Sequence, residues 1–301
     1  MRRFNIDFLG HRNYMFAFSG VLVAIAIGAL LVRGLTFGIE FSGGTEIDIV
    51  NTGDIAIEQV REAFDAAGAE DAAIQSFAGA EQGFLVRTDL QNVEEAQAIA
   101  SSVANALELP RESFQVTTIG PGWGRNVTDR AMLALVISFG MILLYVALRF
   151  EYKMSVAAIV ALVHDVFITL GVYALFGQEV TPNTVAALLT ILGYSLYDTI
   201  VMFSRVKENA QHLTKQTFMS MANDSINEVL VRTVNTIVLS LMPVLVMLFF
   251  GGETLYDFAL ALSIGLLVSS FSSFGVATPI YAMWKETEPK FAALRRKYAG
   301  A

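Results

Sequence analysis

Residues 184–203 read TVAALLTILGYSLYDTIVMF, twenty positions with a single charge, Asp198. A hydrocarbon core of about 30 Å takes roughly 20 apolar residues in a helix, so this stretch is long enough to cross a bilayer while carrying an ionisable group inside it. Five further runs share its character: Tyr14–Val32, Ala131–Leu148, Met154–Phe176, Val229–Phe250 and Tyr256–Trp284. Six spans return the chain to the side on which it began. The composition agrees, because 54% of residues are hydrophobic and 16% charged, and the charges avoid these runs.

Outward from the spans, charge sets a direction. Arg2, Arg3 and Arg12 precede the first span; Arg149 and Lys153 follow the second; Arg205, Lys207 and Lys215 follow the fourth; Lys285, Lys290, Arg295, Arg296 and Lys297 follow the sixth. The short loops on the other side, GQEVTPN and GGET, hold no base. Basic loops stay in the cytoplasm, so both termini are expected there. The first run is longer than a signal-peptide core and lacks a small-residue cleavage site, which reads as a retained anchor. Residues 34–127 carry a net charge of −11 against −8 for the whole chain, so the rest sums to +3. Acid gathers in one extracytoplasmic segment, and nothing in this balance points to nucleic acid.

That segment changes period. TEIDIV alternates as a strand does, IAIEQVREAFDAAG has helical spacing with Gly68 placed to end it, and AAIQSF and GFLVRTDL read as strands joined across a turn containing Gly79 and Gly83. NVEEAQAIASSVANALEL is a helix with Asn92 and Glu95 as a capping pair, and SFQVTTIG is the last strand. The expected fold is therefore an α-helical polytopic membrane protein of six transmembrane helices, with a small α+β domain of βαββαβ, ferredoxin-like order between the first two. Its expected parts are 1–33, the domain 34–127, the helices 128–284 and a basic tail 285–301. The glycines of FSGGT, Gly43 and Gly44, precede a strand rather than opening a helix, so they read as a structural turn and not as a phosphate cradle. There is no cysteine, and the domain has no histidine. No nucleophile–base or metal-ligand constellation is visible, so no catalytic residue, metal or bound cofactor is expected.

The charges inside the spans remain. A charge near the bilayer centre costs about 2.5–3.5 kcal/mol and usually faces a partner or water. Asp198 lies about 10 Å from the cytoplasmic edge and Asp165 about 16 Å, counting 1.5 Å per residue. Arg232 enters the fifth span from the same side, and its side chain is long enough to meet Asp198. A proton arriving at Asp198 would cancel its charge and release Arg232, a bistable arrangement that a gradient can drive. The alternatives stay open: a satisfied structural carboxylate for Asp198, and an arginine that snorkels to the interface for Arg232. Asp198, Arg232 and Asp165 are thus the expected proton-coupling set, with Tyr194, Ser195, Thr199 and Asn235 as supporting polar groups. His164 reads as a hydrogen-bonded packing residue, and a relay through His164 and Asp165 is not expected, because consecutive helical residues point about 100° apart. Ala261, Gly265, Ser269, Ser273 and Ala277 form a small-residue stripe for close helix packing, more simply within the bundle than with a partner. The stretch from Arg205 to Glu228 reads as an amphipathic interfacial helix.

Several segments together resemble the SecF family of protein-export membrane proteins: FNIDFLG before the first span, FGIEFSGGTEIDI after it, IGPGWG before the second, HDVFITLG in the third, GYSLYDTIVMFSRVKEN at the end of the fourth and RTVNTIVLSL opening the fifth. SecD shares the architecture but usually carries a larger extracytoplasmic region, and resistance-nodulation-division exporters repeat a similar six-helix unit. The resemblance implies an accessory subunit of the Sec translocase in the bacterial inner membrane, with protons as the coupling ion. SecD, the SecYEG channel, YajC, the translocating polypeptide and membrane lipids are the implied partners. It assigns proton use to Asp198 and Arg232. The Tyr197 position departs from the family pattern, where a small polar residue is more usual. The rival reading is half of a proton-driven small-molecule exporter.

Overall fold

The computed structural model describes residues 6–50, 52–78 and 82–298; Arg2, Arg3 and Gly79 fall outside them. In chain order the elements are α1 (Arg12–Val32), β1 (Thr36–Phe37), α2 (Ile39–Ser42), β2 (Gly44–Val50), α3 (Ile57–Ala66), β3 (Ala73–Ala78), β4 (Gln82–Thr88), α4 (Val93–Ala106) and β5 (Phe114–Ile119). Then follow α5 (Pro121–Arg149), α6 (Tyr152–Phe176), β6 (Glu179–Val180), α7 (Pro182–Gln211), α8 (Phe218–Phe250), α9 (Glu253–Ser272), α10 (Thr278–Glu286) and α11 (Pro289–Tyr298). Most of the described chain is helical, and six helical stretches are long and apolar enough to span a membrane. The chain divides into two units, 37–134 with 179–182, and the remainder.

In the smaller unit, four strands form a sheet in the order β3-β4-β2-β5, every neighbouring pair antiparallel. With α3 and α4 as the two crossovers, this is the ferredoxin-like arrangement read from the sequence. The periods explain the core. Ile47 and Ile49 alternate on one face of β2, while Val60 and Phe64 of α3 and Ile99 and Val103 of α4 recur at i, i+4, and all six are buried together with Phe84 and Phe114. At the start of α4 the Asn92 side chain accepts from the Glu94 N–H at 2.9 Å, so the cap bond goes to the second helical residue rather than into a reciprocal pair with Glu95. Gly43 and Gly44 end α2 and open β2 with φ of 76° and 128°. A Cβ at Gly44 would stand 2.5 Å from the Thr88 carbonyl oxygen, so that glycine lets strand and turn close on each other. The return strand β6 belongs to this unit: the Gly38 N–H donates to the Val180 carbonyl at 3.0 Å, and Arg87 bridges Glu46 and Glu179.

In the larger unit α1 packs along α6, α6 along α9, and α8 along α9. Its core includes Met154, Leu162, Phe203, Phe218 and Tyr281. The outward faces stay apolar, with Ile137, Leu144 and Leu148 on α5 and Leu239, Met242 and Phe250 on α8 all exposed, as helices solvated by lipid allow. A segment before α1 is strapped to α8, where Asn227 accepts the Ile6 N–H at 2.9 Å and Asn223 the Phe8 N–H at 2.8 Å. No separate interfacial helix forms between Arg205 and Glu228. The helix of the fourth span continues to Gln211, and that of the fifth begins at Phe218, where Thr217 caps it. Nothing in 204–211 breaks a helix, so polar residues extend the spans instead of building a new element. The sixth span is not one α-helix either: a π-helical segment, Ser273–Ala277, separates α9 from α10.

Candidate functional site: two carboxylates among the spans

Asp198 lies in the middle of α7, half-buried. Its Oδ1 accepts from Thr233 Oγ1 of α8 at 3.0 Å. Its Oδ2 is buried and has no hydrogen-bond partner among the described residues. Asp198 lines a recess of about 20 Å³ together with Tyr194, Tyr197, Thr236, Ser240 and Ser269, enough for about one water molecule.

Whether Asp198 and Arg232 touch is open from the sequence; among the described residues no hydrogen bond or ion pair joins them. Arg232 donates from Nη2 to the Tyr197 hydroxyl at 2.6 Å, and its guanidinium sits 5.8 Å from the centre of that ring. The reason is local geometry. Thr233 is the α8 residue turned toward Asp198, so Arg232 projects about 100° away and meets the neighbour of the carboxylate rather than the carboxylate itself. Tyr197 supplies that partner.

Of the four supporting residues, none bonds Asp198. Tyr194 lines the recess, half exposed. Thr199 pairs with Ser273 at 3.1 Å. Asn235 is exposed and makes no side-chain hydrogen bond among the described residues. Ser195 turns to the other carboxylate, donating to Asp165 Oδ2 at 2.6 Å.

Asp165 of α6 is fully buried. Besides Ser195, Ser272 at the end of α9 donates to Oδ2 at 2.9 Å. His164 Nδ1 lies 3.0 Å from Oδ1, and Ser19 of α1 lies 2.8 Å from His164 Nε2. The expectation that His164 and Asp165 could not share a face is therefore overturned. Their Cβ vectors do diverge, but a long imidazole and a short carboxylate can lean toward each other across the 100° between them. The network was hidden from sequence reasoning because its members come from four helices. Its one signal was a further serine, Ser272, directly before Ser273 of the small-residue stripe.

The stripe itself lies inside the unit. Ala261, Gly265, Ser269, Ser273 and Ala277 are all buried, and a Cβ at Gly265 would collide with Ile191 on α7. Close approach of these helices brings the end of α9 to Asp165 and the start of the π segment to the neighbour of Asp198. Ser272 bonds Asp165, while Ser273, next in sequence, bonds the neighbour of Asp198. A π turn widens the helix by one residue and frees its ladder, and such turns gather at functional sites.

Fold and site define a class: a polytopic membrane protein with a small inserted α+β domain and buried carboxylates at helix contacts. Comparison with known proteins makes the assignment narrower. Residues 99–287 match the family model of protein export membrane proteins SecD/SecF, C-terminal, and residues 28–49, which hold Gly43 and Gly44, match the SecD/SecF GG motif. The protein translocase subunit SecF of Streptomyces coelicolor is 39% identical over 300 residues, covering 97% of this chain and 80% of that one. The SecF subunit of Pseudomonas aeruginosa is 37% identical, with coverages of 91% and 90%. The crystal structure of SecDF from Thermus thermophilus, a translocon-associated membrane protein, superposes with a TM-score of 0.85 at 35% identity over 95% of this chain and 39% of that one. The chain belongs to the SecD/SecF family, and its relatives are protein translocase subunits of the SecF kind, which sets aside the small-molecule exporter reading.

Proposed function

We propose that this chain is the proton-coupled accessory subunit of a bacterial Sec translocase, residing in the inner membrane with both termini cytoplasmic and its α+β domain on the far side. It would pair with a SecD-like half, act beside the SecYEG channel with YajC, and help draw the translocating polypeptide outward. Its work is mechanical rather than catalytic, and protons are the only coupling species the reading needs. The fused SecDF relative supports the pairing with SecD, and the basic loops support the orientation.

The observation that carries the reading is the half-satisfied Asp198. A buried carboxylate oxygen with no donor among the described residues is costly as an anion, so the arrangement fits the neutral acid, with Arg232 parked on Tyr197. Loss of the proton would create a charge that Arg232 can reach only by leaving Tyr197. The two states differ in which contact between α7 and α8 is made, and a gradient that protonates from one side and deprotonates to the other drives the exchange.

The test replaces Asp198 by Asn and measures export into inverted membrane vesicles with and without a proton gradient. The variant should export at the gradient-free rate under both conditions. An undiminished response to the gradient would refute the assignment, as would purification of the chain without any SecD-like or channel subunit.

A further inference from the structure

Resting on that reading, we propose that His164 and Asp165 together form a second proton-binding site, which holds one exchangeable proton between imidazole and carboxylate. Without the extra proton, the Ser19 hydroxyl donates to Nε2, the Nδ1 proton is donated to Oδ1, and Ser195 and Ser272 donate to Oδ2. Every polar atom of the pair is then satisfied, and the network carries one negative charge.

A proton added at Nε2 needs only that the Ser19 hydroxyl rotate. Nε2–H then donates to Ser19 Oγ, and the serine proton can turn to the carbonyl one turn back along its own helix. The Nδ1 proton either stays, giving an imidazolium beside a carboxylate, or crosses to Oδ1. In the second case the N–H bond breaks, an O–H bond forms, and both groups are neutral. Either way the network goes from one negative charge to none, and no hydrogen bond of the pair is lost. A purely structural carboxylate needs donors only. This one faces a ring that can also accept, and it sits where water does not compete, because both residues are buried.

Few other charges compete for the proton. Asp198 lies one turn along α7 from Ser195 and is engaged with Thr233. Asp257 of α9 lies about 20 Å before Ser272 along its helix, and α10 brings Tyr281 and Lys285 to Glu151, about 20 Å along α6. Arg12 of α1 bonds the Leu9 carbonyl. The site is also wired to the first one. Ser272 donates to Asp165, and Ser273, the first residue of the π segment, bonds Thr199 beside Asp198, so a change of charge at one carboxylate reaches the other through adjacent serines.

The test needs protons alone and no translocase, so it stands or falls separately from the export assay. The full chain is placed in phospholipid nanodiscs, and infrared difference spectra are recorded across a pH titration. Asp198→Asn should keep the high-frequency carboxyl band of an acid shielded from water, Asp198→Asn with Asp165→Asn should lose that band while the exposed acids keep theirs, and proton uptake should fall by about one proton per molecule on replacing Asp165 alone. The imidazole bands of His164 should change in the same step, and His164→Gln should displace its midpoint. Complete loss of the band in Asp198→Asn alone would overturn the proposal, as would imidazole bands silent across the step. If His164→Gln does not fold, Ser19→Ala takes its place. A displaced midpoint there supports the shared proton, and an unmoved one refutes it.

Discussion

Asp165 and Asp198 lie on neighbouring helices of one unit, yet among the described residues the first accepts three side-chain hydrogen bonds and the second one. Both are short acids within apolar runs, and in sequence they look alike. The difference lies in their surroundings. Asp165 is enclosed by hydroxyls from α7 and α9 and by its own neighbour His164, whereas Asp198 borders a water-sized recess and accepts from Thr233 of α8. In the proposals above, Asp165 changes charge with its hydrogen bonds kept, whereas a change at Asp198 exchanges one contact for another. The two acids are distinguished by how many donors the fold delivers.

This contrast can be broken in graded ways. The largest effect should follow Gly265→Val, because any side chain there meets Ile191 and pushes α9 off α7, the two helices that supply Ser272 and Ser195 to Asp165. Overpacking of this kind costs about 1–3 kcal/mol or more. Folded yield and thermal unfolding in detergent would show it, and unchanged stability would mean the helices do not approach so closely. Next comes Ser195→Ala, which leaves the buried Asp165 one donor short and should cost about 1.5–3 kcal/mol in the same assay. Thr233→Ala at the half-buried Asp198 should cost less, about 0.5–1.5 kcal/mol. An equal or reversed order would erase the distinction drawn between the two acids.

Tyr197→Ser sharpens the comparison rather than breaking it. With its parking place removed, Arg232 should turn to Asp198. A double-mutant cycle between Arg232→Gln and Asp198→Asn should then show stronger coupling in the Tyr197→Ser background than in the parent. Unchanged coupling would mean that Tyr197 does not hold the arginine. The smallest effect is expected far from either carboxylate. Partial burial pulls the Glu288 carboxyl upward, but Lys285 at 3.0 Å and Lys153 at 3.1 Å outweigh it and hold the group below the usual glutamate range. A lowered folded value means that the stabilisation is present at neutral pH and fades as pH falls through it. Glu288→Gln should therefore lower the melting temperature slightly at neutral pH, with the gap to the parent closing in acid; solvent screening keeps the effect modest.

Much of the fold was legible because its signals are local. Run length marks a span whatever packs against it, and periods of two and near four marked β2 and α4 before any partner was known. Local signals also misled in characteristic places. A span ends for hydropathy where lipid ends, but the helix of α7 continued to Gln211 because nothing stopped it. The 100° rule excluded a bond between His164 and Asp165 because it describes Cβ directions, not where the atoms at the end of a side chain can reach. The same rule, applied at Arg232 and Thr233, correctly describes why only one of them meets Asp198.

By itself, then, the sequence determined six membrane helices, a βαββαβ domain between the first two, and the identity of the acids that had to be explained. Chain-local physics suffices for these, since burial in lipid and strand or helix period depend on neighbours along the chain. Only the tertiary structure decided which donor each acid received: Ser195 for Asp165 rather than Asp198, Tyr197 for Arg232, and Ser272 from the edge of a π turn. A hydrogen bond between helices depends on the rotation of each about its own axis, which is set by side chains such as Ile191 and Gly265 meeting across the bundle.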